Sequence, residues 1–274
     1  MIEILKAILF GIVEGVTEWL PISSTGHLIL LNEFITLNVS EEFSQMFDVV
    51  IQLGAILAVI VLFFRKLNPF DPGKKPRERK RTWRLWFTVI VSIIPSGLVG
   101  VLFDDWMEAH LHTGVVVALM LIVYGVAFIL VERYNARREP QITSVYGIDL
   151  KTALLIGAFQ CLSLIPGTSR SGSTILGAIL LGVSRSAGAE FSFFMAIPTM
   201  VGASAIKGLK FVLSGAAITG TEVGVLVVGC LVSFLVSLLV IRGLMEYVRR
   251  HSFAAFGVYR IVLGIVVLIY FLVV

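Results

Sequence analysis

Apolar residues recur along this chain in runs near twenty residues long, enough for a helix to cross a hydrocarbon layer of ~30 Å. Six runs predict ordinary spans, at about 46–64, 85–103, 114–132, 188–208, 222–241 and 253–274, the fourth containing Pro198. A transmembrane barrel would instead show alternating segments of ~10 residues, and no such alternation is present. Two further apolar segments are interrupted by polar residues. Residues 2–38 are broken at Leu20-Pro-Ile-Ser-Ser-Thr-Gly26, and residues 151–182 at Pro166-Gly-Thr-Ser-Arg-Ser-Gly172. The pattern predicts an all-α polytopic membrane protein.

Composition agrees. Of 274 residues, 57% are hydrophobic and 15% charged, too little charge to cover the surface of a soluble domain of this size. The chain fits one membrane domain. Cys161 and Cys230 lie inside apolar stretches and read as small packing residues, not a disulfide. The N-terminus carries Glu3 and Lys6 and has no small-residue cleavage site after a short apolar core, so the first helix is expected to be retained.

Charge then orients the chain. The net +4 is concentrated in connections, which points to topology and not to nucleic acid. Segment 65–84 holds nine basic residues: Arg65, Lys66, Lys74, Lys75, Arg77, Arg79, Lys80, Arg81 and Arg84. The positive-inside rule makes it cytoplasmic. Loop 104–113, with Asp104, Asp105 and Glu108 and no Lys or Arg, is expected outside. Arg133, Arg137, Arg138 and Lys151 place loop 133–151 inside, as Arg242, Arg249 and Arg250 do for theirs. Lys207 and Lys210 run against the rule.

If 46–64 ends inside, it begins outside. The half of segment 2–38 after the break, 27–38, is short for a span. A re-entrant helix–loop–helix hairpin with a polar tip at membrane depth is expected there, and a second at 151–182 entering from the cytoplasm. Non-helical backbone at that depth must be buried in protein or line a wet cavity. Gly11-Ile-Val-Glu14 before the first polar loop is echoed by Gly157-Ala-Phe-Gln160 before the second, with three spans after each loop. An odd number of spans puts the halves, about 1–135 and 148–274, in opposite orientations. The predicted architecture is therefore six transmembrane helices plus two oppositely oriented re-entrant hairpins in an inverted-topology repeat.

The polar loops carry the chemistry. Glu14 and Glu18, four apart, share one helix face. Carboxylates in an apolar segment are costly unless they pair, bind metal or line a wet cavity. Metal ligation and acid–base work are the functional readings; a structural ion pair is the plainer one. Ser23-Ser24-Thr25-Gly26-His27 follows. One hydroxyl before a helix is commonly an N-cap, but His27 beside two glutamates suggests a nucleophile with a proton-transfer partner. In the second loop, Arg170 suits phosphate through its planar, permanently charged fork. Gly167 and Gly172 let backbone N–H groups approach an anion, and the helix starting near Ser173 adds its positive end. The hydroxyls of Ser23, Thr25, Ser169, Ser171, Ser173 and Thr174 are expected to join Arg170 on the phosphates, with Glu14 and Glu18 on a divalent cation. Apolar surroundings favour a lipid-tailed substrate. Phosphoryl transfer needs mainly positioning and charge stabilisation, which these groups supply.

Glu14-Gly-Val-Thr-Glu-Trp-Leu-Pro-Ile-Ser-Ser-Thr-Gly-His27 and Pro166-Gly-Thr-Ser-Arg-Ser-Gly172 resemble the two signatures of the bacterial undecaprenyl-diphosphatase family of the bacitracin-resistance type. Phe47-Asp-Val-Val-Ile-Gln-Leu-Gly54, Gly182-Val-Ser-Arg-Ser186 and Glu190-Phe-Ser-Phe193 extend the resemblance over nearly the whole chain. It implies dephosphorylation of undecaprenyl diphosphate to the carrier lipid of cell-wall synthesis, and with it bacitracin resistance. It further implies Mg2+ or Ca2+ dependence and a site in the bacterial inner membrane opening to the periplasmic face. The positions matching the family's functional residues are Glu14, Glu18, Ser24, His27 and Arg170. Ser24 is the expected nucleophile with His27 as acid–base partner; a phosphohistidine at His27 is the alternative. A homodimer is compatible with the resemblance, though no residue argues for it. The competing function is a transporter or flippase of undecaprenyl phosphate, which needs the same charges but not the Ser/His pair.

Overall fold

A computed structural model describes residues 1–273 of the chain, apart from the side chains of Asp104, Asp105 and Glu108. The acidic outward patch expected from those three lies outside the described residues.

Among the described residues there is no strand, only an isolated bridge between Ile142 and Val183. The helices in chain order are α1 (Ile2–Thr17), α2 (Ser24–Phe34), α3 (Glu41–Val50), α4 (Gln52–Leu62), α5 (Phe64–Leu67), α6 (Pro76–Leu111) and α7 (Gly114–Asn135). They continue with α8 (Leu150–Cys161), α9 (Arg170–Leu180), α10 (Arg185–Leu213), α11 (Gly220–Arg250) and α12 (Ala254–Val273). Among the described residues, six helical stretches are long and apolar enough to cross a membrane: Glu41–Leu62, Pro76–Phe103, Gly114–Asn135, Arg185–Leu213, Gly220–Arg250 and Ala254–Val273. They coincide with the six predicted spans.

The helix ends follow local chemistry more than hydropathy. Pro76 starts α6, where its missing N–H costs nothing, nine residues ahead of the predicted span. The same helix runs on to Leu111, so most of the expected 104–113 loop is helical. Hydropathy marks where the bilayer ends, and a helix continues into water until a cap stops it. Side-chain caps open α3, α7, α8 and α10: Ser40 accepts from the Phe43 N–H, Thr113 from Val116, Asp149 from Thr152 and Ser184 from Ala187. Thr219 and Glu222 form a reciprocal capping box at α11.

Both interrupted segments are helix pairs broken at the polar residues, α1–α2 and α8–α9. α1 lies along α11, α8 along α6, and α7 along α12. Small residues allow the backbones to meet, as expected where helices pack in lipid. A Cβ on Gly11 would stand 2.7 Å from the Gly229 carbonyl oxygen of α11. A Cβ on Gly157 would overlap the Ser92 carbonyl of α6. Gly157→Ala is therefore expected to lower stability by about 1–3 kcal/mol through overpacking, read as a lower Tm in detergent. Gly202→Ala, with nothing within 4 Å of the added methyl, is the matched control, expected to be neutral or slightly stabilising. Equal Tm changes in the two would refute the close approach.

The core lies where the broken pairs meet α10. Trp19, Phe191, Phe193 and Phe194 are fully buried, with Trp19 edge-on to Phe193 at 5.1 Å between ring centroids. This aromatic floor backs the polar loops.

Candidate active site

Each polar loop makes the same turn before its second helix. Ser23 (φ 76°) and Ser169 (φ 75°) are, among the described residues, the two non-glycine residues with positive φ. Each caps the helix that follows: the Ser23 hydroxyl accepts from the Gly26 N–H at 3.2 Å, and Ser169 from Gly172 at 3.1 Å. Such backbone costs on the order of 1–3 kcal/mol and persists where surrounding contacts over-determine it. The helix starts so formed point their unsatisfied N–H groups and positive dipole ends out of the loops.

Contacts between the loops bring the two starts together. The Ser171 hydroxyl donates to the Glu18 carbonyl at 3.1 Å. Arg170 Nη2 donates to Glu18 Oε1 at 2.9 Å, and Ser24 Oγ donates to Glu18 Oε2 at 2.6 Å. Glu18 thus sits between the hydroxyl of one loop and the cation of the other, 5% exposed. The other edge of the Arg170 fork donates to the Ser192 carbonyl at 2.6 Å and hydroxyl at 3.1 Å. The guanidinium also lies 5.7 Å from the Trp19 ring centroid. Its Nε, buried, has no protein acceptor.

His27 is not the hydrogen-bond partner of Ser24. Its Nδ1 is 2.7 Å from the Ser23 carbonyl, which can only accept, so Nδ1 carries a proton. Nε2, 2.7 Å from the Tyr259 hydroxyl, then accepts in the neutral ring. The partner of the Ser24 hydroxyl is therefore Glu18, not the histidine expected from the sequence. The reason is which partners are taken: Ser24 and His27 lie one turn apart on the same side of α2, but the Ser24 hydroxyl is engaged by Glu18 and both ring nitrogens of His27 are engaged by Ser23 and Tyr259.

The remaining expected residues divide. Ser23 and Ser169 are caps, and Thr25 is exposed at the start of α2. Ser169 and Ser171 hydroxyls pair at 3.2 Å. Ser173 and Thr174, both fully buried, donate to the carbonyls of Ser169 and Arg170 at 3.0 and 2.9 Å. This corrects the expectation that they face phosphate: their hydroxyls bind the backbone one helical turn back and brace the loop. Three participants had no role assigned from the sequence. Ser192 lies in the stretch Glu190-Phe-Ser-Phe193 that extends the family resemblance, and Tyr259 carries no signal of its own. Arg260 does, as a full charge inside an apolar run.

Glu14 lies one turn before Glu18, fully buried, with neither carboxylate oxygen hydrogen-bonded. An unpartnered buried carboxylate calls for a counter-charge. No group of three or more His, Cys, Asp or Glu side chains that could hold a metal occurs among the described residues. The donor set thus does not form an all-protein cage and lacks nitrogen and sulfur. It fits a hard, oxygen-preferring divalent cation that completes its shell with phosphate and water.

These features define a class: a polytopic α-helical membrane protein with a buried carboxylate–arginine–hydroxyl site between two helix starts. Residues 7–266 match the family model described as Bacitracin resistance protein BacA, and the chain belongs to that family. It is 57% identical over 270 residues to the undecaprenyl-diphosphatase of Streptococcus thermophilus, covering 98% of this chain and 94% of the relative. It is 59% identical over 269 residues to the undecaprenyl-diphosphatase of Streptococcus mutans, covering 98% and 96%. For that of Streptococcus pyogenes the identity is 56% over 270 residues, covering 98% and 97%.

Proposed function

We propose that this protein hydrolyses undecaprenyl diphosphate to undecaprenyl phosphate and inorganic phosphate, and so confers bacitracin resistance. The observation that carries this reading is the Ser24–Glu18–Arg170 chain of contacts, placed between apolar spans where a lipid tail can lie. The names of its relatives support it.

The residues suggest a two-step route. Ser24 Oγ attacks the terminal phosphorus while its proton passes to Glu18. The bond from that phosphorus to the bridging oxygen breaks, and undecaprenyl phosphate leaves with the electron pair. The released lipid phosphate carries off the proton held by Glu18. Water then attacks the phosphoserine. Glu18 takes one of the water's protons and passes it to the departing Ser24 oxygen as that phosphorus–oxygen bond breaks, and inorganic phosphate leaves with the other. Arg170 and the N–H groups at the starts of α2 and α9 take up the charge on the equatorial oxygens. In the substrate-free site Arg170 is held by Glu18; phosphate competes for that fork, which frees Glu18 as a base. His27, whose Nδ1 is held by the Ser23 carbonyl, can donate to a phosphate oxygen only where Tyr259 gives up Nε2 and the ring takes a second proton there. Glu14, with Glu18, would hold Mg2+ or Ca2+, which supplies charge neutralisation on the diphosphate when bound.

The same reading extends to topology. α1–α2 and α8–α9 are re-entrant hairpins of opposite orientation in two inverted repeats. Gly11, Glu14, Ser23 and Gly26 stand at one constant spacing from Gly157, Gln160, Ser169 and Gly172. The packing of α1 on α11 is matched by that of α8 on α6. With the basic segment 65–84 inside, the first hairpin enters from the outer face of the bacterial inner membrane, and the site opens there.

The test is release of inorganic phosphate from a lipid diphosphate by purified protein in detergent, where transport has no compartments to act on. Wild-type protein giving no release would sink the phosphatase reading and leave the flippase. In the same assay Glu14→Gln is expected to raise the divalent-cation concentration for half-maximal activity about 10–100-fold, the scale on which perturbed metal sites lose affinity. An unchanged metal titration would count against ligation.

A further inference from the structure

Arg260 lies in α12, 0% exposed, in a span with no other charged residue. Among the described residues it makes no ion pair. A full charge buried in a membrane protein without a counter-ion is expensive and marks a function by default. Carbonyl dipoles compensate it here. Nη1 donates to the Pro21 carbonyl at 3.0 Å. Nη2 donates to the carbonyls of Gly167 at 2.7 Å and Thr168 at 3.0 Å, and to Met120 of α7 at 3.4 Å. The guanidinium lies 5.5 Å from the Tyr124 ring centroid.

Two facts make this more than packing. The acceptors come from the tips of both polar loops, Pro21 from the first and Gly167 and Thr168 from the second. They also flank the strained turns: Pro21 is two residues before Ser23, and Thr168 adjoins Ser169. In a trans peptide unit, carbonyl and N–H point in opposite directions, so holding the Thr168 carbonyl fixes where the Ser169 N–H points. A planar fork can grip carbonyls of two loops at once; an ammonium offers no such fixed geometry. Neutral acceptors also leave the positive charge unspent, close to where phosphate binds.

We propose that Arg260 is a positioning residue of the active site: its guanidinium clamps the tip carbonyls of both loops and so sets the geometry between Ser24 and Arg170. This rests on the reading that the two loops form the phosphate site. The experiment compares wild-type, Arg260→Lys and Arg260→Met full-length protein in detergent. It measures kcat and KM for phosphate release per folded molecule, and hydrogen–deuterium exchange along the chain. Arg260→Met is expected to lower kcat about 100-fold, the cost of a misplacement near 1 Å, with KM changed less than about threefold. Arg260→Lys, which keeps the charge without the fork, is expected to fold and to recover about tenfold of that loss. Exchange is expected to rise in residues 19–24 and 165–172 together.

A kcat within twofold of wild type in the Lys variant and, if it folds, the Met variant would overturn the proposal. So would a fall in Tm with kcat per folded molecule unchanged, or added exchange confined to α7 and α12. An inert wild-type enzyme would instead sink the phosphatase reading, while the exchange measurement would still report on the clamp.

Discussion

Arg170→Ala is expected to lower kcat for phosphate release by about 10³-fold or more, the range seen when an arginine facing a transferred phosphoryl group is lost. The structure gives the reason for so large an effect. Arg170 is the guanidinium whose fork reaches Glu18, and the other buried arginine at the loops, Arg260, has both terminal nitrogens on carbonyls. Replacement is thus not available from a neighbour. The substitution has a second consequence that must be separated from the first. Glu18 is buried, and removing one member of a buried ion pair costs about 3–5 kcal/mol because the other is left uncompensated. Arg170→Lys distinguishes the two. It restores the charge beside Glu18, and so most of the stability, but offers a point charge in place of a planar fork. Its kcat is expected to stay well below wild type while its Tm returns most of the way. The measurements are kcat normalised to folded protein and thermal melting of each variant. Arg170→Ala within tenfold of wild type would refute the phosphate role.

The same buried pair shows why some of the site was legible in the sequence and some was not. Glu14, Glu18 and Arg170 stand out because a charge inside an apolar run has to be explained, and Ser24 and His27 because they lie in the polar break that follows. The spans were legible for a related reason: length and hydropathy answer directly to bilayer thickness. Which atoms meet is another matter. The pairing of Ser24 with Glu18 follows from the positive φ at Ser23, a backbone choice that a serine does not advertise. Ser173 and Thr174 look like phosphate ligands by composition, yet their hydroxyls go to carbonyls four residues back, a use open to any Ser or Thr inside a helix. Arg260 carried the same intramembrane signal as Arg170. It lacked a polar loop beside it in sequence, and its partners are 92 to 239 residues away. Helix ends such as Leu111 in α6 and Arg250 in α11 were missed because hydropathy reports the membrane and not the helix.

Ser24→Ala is expected to lower kcat by about 10⁴-fold or more, as loss of a nucleophile does in hydrolases that act through a serine. Glu18→Gln is expected to cost about 10²–10⁴-fold as loss of a general base. The informative quantity is the double variant. If Ser24 and Glu18 are one device, linked by the 2.6 Å hydrogen bond, either change disables it. The double variant should then be no slower than Ser24→Ala alone, the non-additivity of residues acting as a unit. If Glu18 instead activates water directly, Ser24→Ala should retain most of the activity, and the two losses should multiply. Acid quench of the turning-over enzyme adds a second discriminator, because phosphoserine survives acid and phosphohistidine does not. An acid-stable phosphate mapped to Ser24 is the expected product. An acid-labile, base-stable phosphate on His27 would displace Ser24 from the mechanism. It would also require the Tyr259 hydroxyl to leave Nε2, since that lone pair is the one a histidine nucleophile needs and the one Tyr259 occupies at 2.7 Å. Tyr259 blocks that atom in the resting site while the Ser24 oxygen already has its base in contact, which is why the serine route is the one expected to prevail.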